Sequence, residues 1–423
     1  MTDLTSMDDF RLFSPVELAD PYAGWQALRE ISPVHAVDEG IGYTIVTRYA
    51  DVVTALRDPE SFSNQLSRRF PSGMSPHVFS EAVQDVLIEG CPYVDALAFT
   101  DGEAHTRHRR MVRSGFSTRR VRELDAVIIQ SVTDLLNEIP VNTEVDLWSK
   151  LCIPLPVRVI GHILGVPPEN SADIKRWADA QVARYGEPLA SEEDNLRIAR
   201  DLVEFHQYLY AALAARRARP RDDFLSDLVH ASAKITEDEL VIVCAQLLVA
   251  GAESSASLIA STLDYLVDRP EQVQRLRTDP SLIPSVVEET LRNESPVKLV
   301  YRVTTRDVEL GGTVIPADSV VILMLGSANR DERAFPSPEV LDPARSDARR
   351  HVAFGYGLHL CPGAELSRAE GRIVLETLLH RTSRIRRADG HVSERPPHLT
   401  IRAFTDLRFV LEPATDTSDP SAA

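Results

Sequence analysis

Cysteine is scarce in this chain: four in 423 residues (Cys91, Cys152, Cys244 and Cys361), far apart and with no C-x-x-C pair among them. That spacing excludes a zinc ribbon, a C-x-x-C-H haem attachment and a disulfide framework, and leaves a buried thiol as the default for each. Positive charge is also short. With 46 Lys and Arg against 63 Asp and Glu, the formal net charge of −17 argues against nucleic-acid or anionic-membrane binding, and only four of the basic residues are lysines. No run approaches the roughly 18–20 uncharged apolar residues that span a bilayer, and the start MTDLTSMDDF is acidic where a signal peptide is basic and then apolar. A soluble, cytoplasmic protein is expected. No Gly/Ser-rich linker and no internal repeat divides the chain.

The 43% of hydrophobic residues are enough for a large core. Helical periodicity alternates with proline-containing breaks from about Pro21 to Leu411. This predicts one mainly α domain with a smaller β region over 13–412, between a tail at 1–12 and a Pro-, Thr- and Ser-rich disordered tail at 413–423. Strands are expected at 41–47 (IGYTIVT) and 319–325 (SVVILML), where β-branched residues cluster. Thr236 and Glu239 form a capping box flanked by Ile235 and Leu240, and no proline follows until Pro270. A helix of about 30 residues is expected there. Its middle, VIVCAQLLVAGAESSASLIAS, is apolar on nearly every face and belongs in the centre of the protein.

Glu253 is a charge inside that apolar stretch, beside Gly251 and a pair of serines, Ser254 and Ser255. It reads either as a solvated edge at a close helix crossing or as a ligand or proton site. Glu289 and Arg292 share one helix face three residues apart, a spacing usually found on surfaces. The irregular segment from Ala328 to Arg345 is long enough to be functional. In HVAFGYGLHLCPGAELSR (351–368), Gly355 and Gly357 lack the third glycine of a dinucleotide loop, so Cys361 stands on a tight turn just ahead of an amphipathic helix. The helix dipole favours a thiolate, which suits a metal whose other ligands come from elsewhere, as in haem. Nucleophilic catalysis by Cys361 with His359 is the rival, with the base poorly aimed on the turn.

Phe354-Gly355-x-Gly357-x-His359-x-Cys361-x-Gly363 resembles the haem-binding signature of the cytochrome P450 superfamily, in its soluble bacterial form, and the likeness runs from Asp20-Pro21-Tyr22 to about Glu412. The resemblance implies the P450 fold, with haem b between the long central helix and the Cys loop. It makes Cys361 the axial thiolate ligand, with Phe354, Gly355 and Gly363 around the sulfur. It assigns His105, Arg109, Arg302 and His359 to the haem propionates, and Glu289, Arg292 and Arg345 to a buried structural triad. Glu253 and Ser254 become the acid–alcohol pair that delivers protons at the oxygen site, with Gly251 leaving room for dioxygen. The chain departs from the usual pattern with Ser254 for threonine, Pro362 after the ligand, and Asp101-Gly102-Glu103-Ala104 for Asp-Pro-Pro-Glu.

By the same resemblance the pocket is lined by Ile88, Ala180, Leu247, Ala250, Val297, Val300 and Phe404, and suits a hydrophobic small molecule. Lys298 beside it is expected to pair with an acidic substrate group or to snorkel to solvent. The expected protein is a monomeric monooxygenase that hydroxylates or epoxidises its substrate with O2. Its electrons would come from an acidic ferredoxin docking on Arg107, Arg110, Arg113, Arg349, Arg350 and Arg372. A peroxide-driven peroxygenase and a non-catalytic haem sensor or scavenger are the alternatives.

Overall fold

A computed structural model describes residues 10–39, 41–70, 80–167, 170–186, 191–231 and 234–414. Helices dominate, and the chain's longest one runs through the middle. It spans Glu237–Val267 and starts at Thr236, whose side chain accepts from the Glu239 N–H while the Glu239 carboxylate accepts from the Thr236 N–H at 2.7 Å. By length and a mean hydropathy of 1.6 over its most apolar window it could cross a membrane, yet 72% of that window is buried in protein. It is packed by the helices Pro154–Ile163, Ser171–Gly186, Ile283–Glu294 and Ala364–Arg381, with which it forms the main apolar core.

Two smaller apolar cores surround a five-stranded sheet in the order Val34–Val37, Tyr43–Val46, Val320–Leu323, Val300–Thr304, Phe62–Ser63. Tyr43–Val46 pairs parallel to Val320–Leu323, and the other neighbours are antiparallel. Both expected strands therefore form and lie side by side. A second sheet joins Glu144–Asp146, Arg408–Pro413 and Thr382–Arg387. Phe10 and Leu12, which the sequence assigned to a tail, are buried at 4% and 3% exposure against the first sheet. Pro413, expected to begin the disordered tail, instead ends the strand Arg408–Pro413, and the Ala414 N–H donates to Arg381 O; residues 1–9 and 415–423 of the expected tails lie outside the described residues.

Glu289 and Arg292 leave the surface reading behind. The Arg292 guanidinium is fully buried and donates to both Glu289 carboxylate oxygens, at 2.8 and 2.7 Å, and to the carbonyls of Asn329, Pro338 and Val340. Arg345 Nε donates to Glu289 Oε1 at 3.0 Å. The irregular segment 328–345 is thus folded around one buried arginine, because its carbonyls find their donors there instead of in a strand or helix.

Candidate functional site

Cys361 sits on the turn the sequence predicts, with its N–H donating to Phe354 O at 2.9 Å and the helix Ala364–Arg381 beginning three residues on. Gly357 has φ +73, and a Cβ there would stand 2.9 Å from the Leu56 carbonyl, so only glycine lets the turn press against the Tyr49–Arg57 helix. Phe354 is flanked by the Arg368 guanidinium, 4.7 Å from the ring centroid, and by His351 at 5.8 Å. Both are clamped to Glu288, whose carboxylate takes two hydrogen bonds from Arg368 at 2.8 Å and lies 3.1 Å from His351 Nε2. Sequence reading missed this clamp, since Glu288 beside Glu289 looked like one more helical acid.

The thiol itself departs from the expectation of a favoured thiolate. Burial pushes it up, and the Gly363 N–H, Arg109 and Arg368 offset this only in part. The protein alone favours the neutral thiol, and a metal cation's charge is what would tip it.

Cys361 opens on a cavity of about 460 Å³. His105, Arg109, Arg302 and His359 border the same space, as do Phe354, Gly355, Gly363, Gly251, Glu253 and Ser254. Arg109 and Arg302 come from different elements, the helix Gly102–Arg113 and the strand Val300–Thr304. Among the described residues neither forms an ion pair with a carboxylate, and Arg302, 5% exposed, donates only to Tyr301 O. Burial pushes Arg302 down to about 10 and lowers Arg109. The His105 and His359 rings stack 3.9 Å apart, and burial first, then each other's company, lowers His105 to about 4. Two guanidiniums, Arg302 buried and Arg109 half-buried, have no carboxylate partner among the described residues and, beside the His105 ring, call for an acidic group in the cavity, while His359 Nε2 already lies 3.5 Å from Asp101 Oδ1.

On the opposite wall, burial and then Asp179 push Glu253 up to about 7, against Lys175. The Ser254 hydroxyl donates back to Ala250 O at 2.6 Å. At Gly251 a Cβ would meet only Ile160, at an ordinary 3.6 Å, so the helix crossing does not require glycine there. The Gln246 side chain donates to Ala96 O and accepts from Ala98 N, pinning the segment ahead of the His105 helix to the central helix.

Of the expected pocket residues, Leu247, Ala250, Val297 and Val300 line the cavity. Ile88, Ala180, Lys298 and Phe404 do not. Ile88 is 79% exposed, Ala180 is buried within the helix packing, and Phe404 is held under the Arg395 guanidinium 3.9 Å from its centroid. Lys298 is buried, neither paired with an acid nor snorkelling: its ammonium donates to the carbonyls of Leu18, at 2.8 Å, and His398. The wall is made instead by Leu66, Leu97, Phe99, Ile160, Leu299 and Ile401, which no local pattern marks.

A family model for cytochrome P450 matches residues 194–385. Cytochrome P450 107B1 of Saccharopolyspora erythraea is 34% identical over 389 residues, 90% of this chain and 92% of that one. The chain belongs to the cytochrome P450 family. Vitamin D(3) 25-hydroxylase of Pseudonocardia autotrophica is 34% identical over 381 residues, 88% of this P450 and 89% of the relative. Among solved structures, CYP109Q5 from Chondromyces apiculatus superposes with a TM-score of 0.83 at 34% identity, covering 95% and 98% of the two chains. Cytochrome P450 CREJ in complex with (4-ethylphenyl) dihydrogen phosphate gives 0.87 at 29% identity, covering 96% and 100%. This P450 is a monooxygenase, and its family uses haem on a cysteine thiolate with O2 and a redox partner. The residues present fit that group: one thiol, Cys361, borders the cavity, and Arg109 and Arg302, without carboxylate partners among the described residues, border the same cavity and could hold an anionic cofactor.

Proposed function

We propose that this P450 binds haem b through Cys361 and inserts one atom of O2 into a hydrophobic small molecule: R–H + O2 + 2e⁻ + 2H⁺ → R–OH + H2O. The observation that carries it is one cavity bordered at once by the Cys361 thiol, by Arg109 and Arg302 without carboxylate partners among the described residues, and by Glu253 with Ser254. When bound, the haem supplies the iron that activates dioxygen. Cys361 would ligate that iron, and Arg109, Arg302, His105 and His359 would hold the propionates.

Glu253 borders the cavity and feels the charges of Asp179 and Lys175 on the helix Ser171–Gly186, and burial raises it to about 7, so it can hold a proton and present it to the cavity near neutral pH. For Ser254 to pass that proton on, its hydroxyl must leave Ala250 O, at about 0.5–1.5 kcal/mol. Serine has no β-methyl to hold the released rotamer, so proton delivery is looser than with threonine. Leu247, Ala250, Val297 and Val300 exclude water from the reacting end and hold an apolar substrate. The Glu253–Ser254 pair speaks against the peroxygenase reading, which has no need of it.

A separate acidic ferredoxin is the proposed donor. Leu358 and Leu360 lie exposed beside Cys361 on a face that also exposes Arg349 and Arg350. The docking patch is smaller than the sequence suggested, because Arg107 reaches Glu239 at 3.9 Å and Arg372 is paired with Asp125 and Glu376. The test is the reduced carbon-monoxide spectrum of the haem-loaded protein, followed by ferredoxin-driven oxidation of a panel of terpenoids, steroids and macrolides. A thiolate-type Soret band with product formed one per NADPH is expected. A histidine-type band overturns the reading.

A further inference from the structure

We propose that His398 is a specificity-determining residue: its Nε2–H anchors an uncharged oxygen acceptor, such as a ketone or lactone carbonyl, on an otherwise apolar substrate. This rests on the monooxygenase reading above and names the substrate class of the same cavity. His398 borders that cavity together with Val297, Leu299, Thr400 and Ile401. Its Nδ1 accepts from two backbone N–H groups, those of Thr400 at 3.1 Å and Ile401 at 2.9 Å. A ring nitrogen that accepts twice carries no proton, so the neutral imidazole holds its proton on Nε2. Nε2 has no hydrogen-bond partner among the described residues, which leaves a pure donor on the cavity wall.

The backbone holds that donor in place. The Lys298 N–H donates to Thr400 O at 2.7 Å, the Arg402 N–H donates to Pro296 O at 2.9 Å, Val297 bridges Ile401, and the Lys298 ammonium donates to His398 O. Protonating Nδ1 would break both of its contacts, and burial, then the Lys298 ammonium, lower His398 to about 4. The ring is therefore neutral near neutral pH. The cations behind it are engaged elsewhere: the Lys298 ammonium with the carbonyls of Leu18 and His398, and Arg395 and Arg402 with Glu294. A substrate carboxylate at this corner would lose its water and meet one neutral donor among Val297, Leu299 and Ile401, which does not offset the desolvation of a charge. A carbonyl oxygen loses far less and gains the bond. The Thr400 hydroxyl both donates and accepts and so makes no such choice, whereas His398 can only donate.

Three probes of one skeleton test this on the haem-loaded protein: cyclooctanone, cyclooctane and cyclooctanecarboxylic acid, with binding read by calorimetry. The variant His398→Asn sets a carbonyl near the place of Nδ1, which keeps an acceptor for the two N–H groups, and leaves nothing at Nε2. It should weaken the ketone about 3- to 10-fold, the size of one neutral hydrogen bond, and leave the hydrocarbon unchanged. A second measurement needs no variant: the infrared C=O stretch of cyclooctanone bound to the parent should lie below its value in hexane. Equal weakening of ketone and hydrocarbon, which a merely structural histidine would give, overturns the assignment. So does an unshifted C=O stretch, the absence of ketone binding to the parent, or a larger loss for the acid than for the ketone. If His398→Asn fails to fold, the stretch in the parent decides. None of these readouts depends on the iron's axial ligand, so failure of the monooxygenase reading registers separately in the carbon-monoxide spectrum.

Discussion

Replacing Arg292 with leucine keeps most of the buried volume and removes every polar contact of that side chain. Glu289, itself fully buried, keeps Arg345 Nε and the Asp342 N–H, both at 3.0 Å, but loses its two-pronged partner. Of the three carbonyls that lose a donor, Pro338 O retains the Asn293 amide and Val340 O a long contact from Arg345, while Asn329 O retains none of the contacts described here. Breaking a buried pair costs about 3–5 kcal/mol, and a stranded carbonyl about 1–3. With Arg345 still in place, the lower end of each range applies, for a total of about 4 kcal/mol. Against a typical stability of about 5–15 kcal/mol this removes a large part of the margin. Arg345→Leu should cost clearly less, because Glu289 keeps the bidentate Arg292. Urea unfolding followed by helical circular dichroism and haem absorbance measures both. A loss below about 1 kcal/mol for Arg292→Leu, or a larger loss for Arg345→Leu, would refute the reasoning.

Acid stability depends on Glu288 and Glu294. Burial alone would raise both, yet His351 and Arg368 hold Glu288 at about 2, and Arg395, Arg402 and Arg330 hold Glu294 at about 2. Their folded values lie below the unfolded one, so this stability is present above about pH 4.5 and is lost as the pH falls toward 2, by about 3 kcal/mol for each group; the double variant Glu288→Gln/Glu294→Gln should flatten that slope in pH-dependent unfolding. Lys298 behaves oppositely. Burial, then Arg402 and Arg395, lower it to about 7, so stability should rise with pH between about 7 and 10, and Lys298→Met should abolish the rise. Arg302→Met removes an unpaired buried cation: the haem-free protein should hold or gain stability while haem dissociates faster in transfer to apomyoglobin, and unchanged retention would count against the propionate assignment. Turnover coupling should fall as the pH rises through about 7 and Glu253 ionises, a dependence that Glu253→Gln should remove.

The legible parts were those with local causes. The capping box announced the central helix, β-branched clusters announced two adjacent strands, and glycines with Cys361 announced the turn. Glu289 and Arg292 were visible as a pair but not as buried, because the carbonyls that surround Arg292 come from residues about 40 positions downstream. The pocket was half legible for the same reason. Leu247 and Ala250 lie on a helix face that the sequence defines, whereas Ile88, Ala180 and Phe404 depend on how distant elements pack, and the structure turns all three away from the cavity. Lys298 looked like a substrate residue because it is rare and stands between wall residues. Its ammonium instead reaches carbonyls at the start of the chain.

That contact ties the beginning of the protein to the far wall of its cavity. Lys298 caps Leu18 O, Arg402 donates to Ala19 O at 2.8 Å, and between these two cations the bridge Val297–Ile401 forms the cavity's edge. The short helix Pro15–Ala19 is therefore fixed, through its last carbonyls, to the two residues that flank this edge. Shortening the chain to remove this helix would leave Lys298 and Arg402 without those acceptors next to the cavity edge, and is expected to shift substrate affinity more than overall helix content.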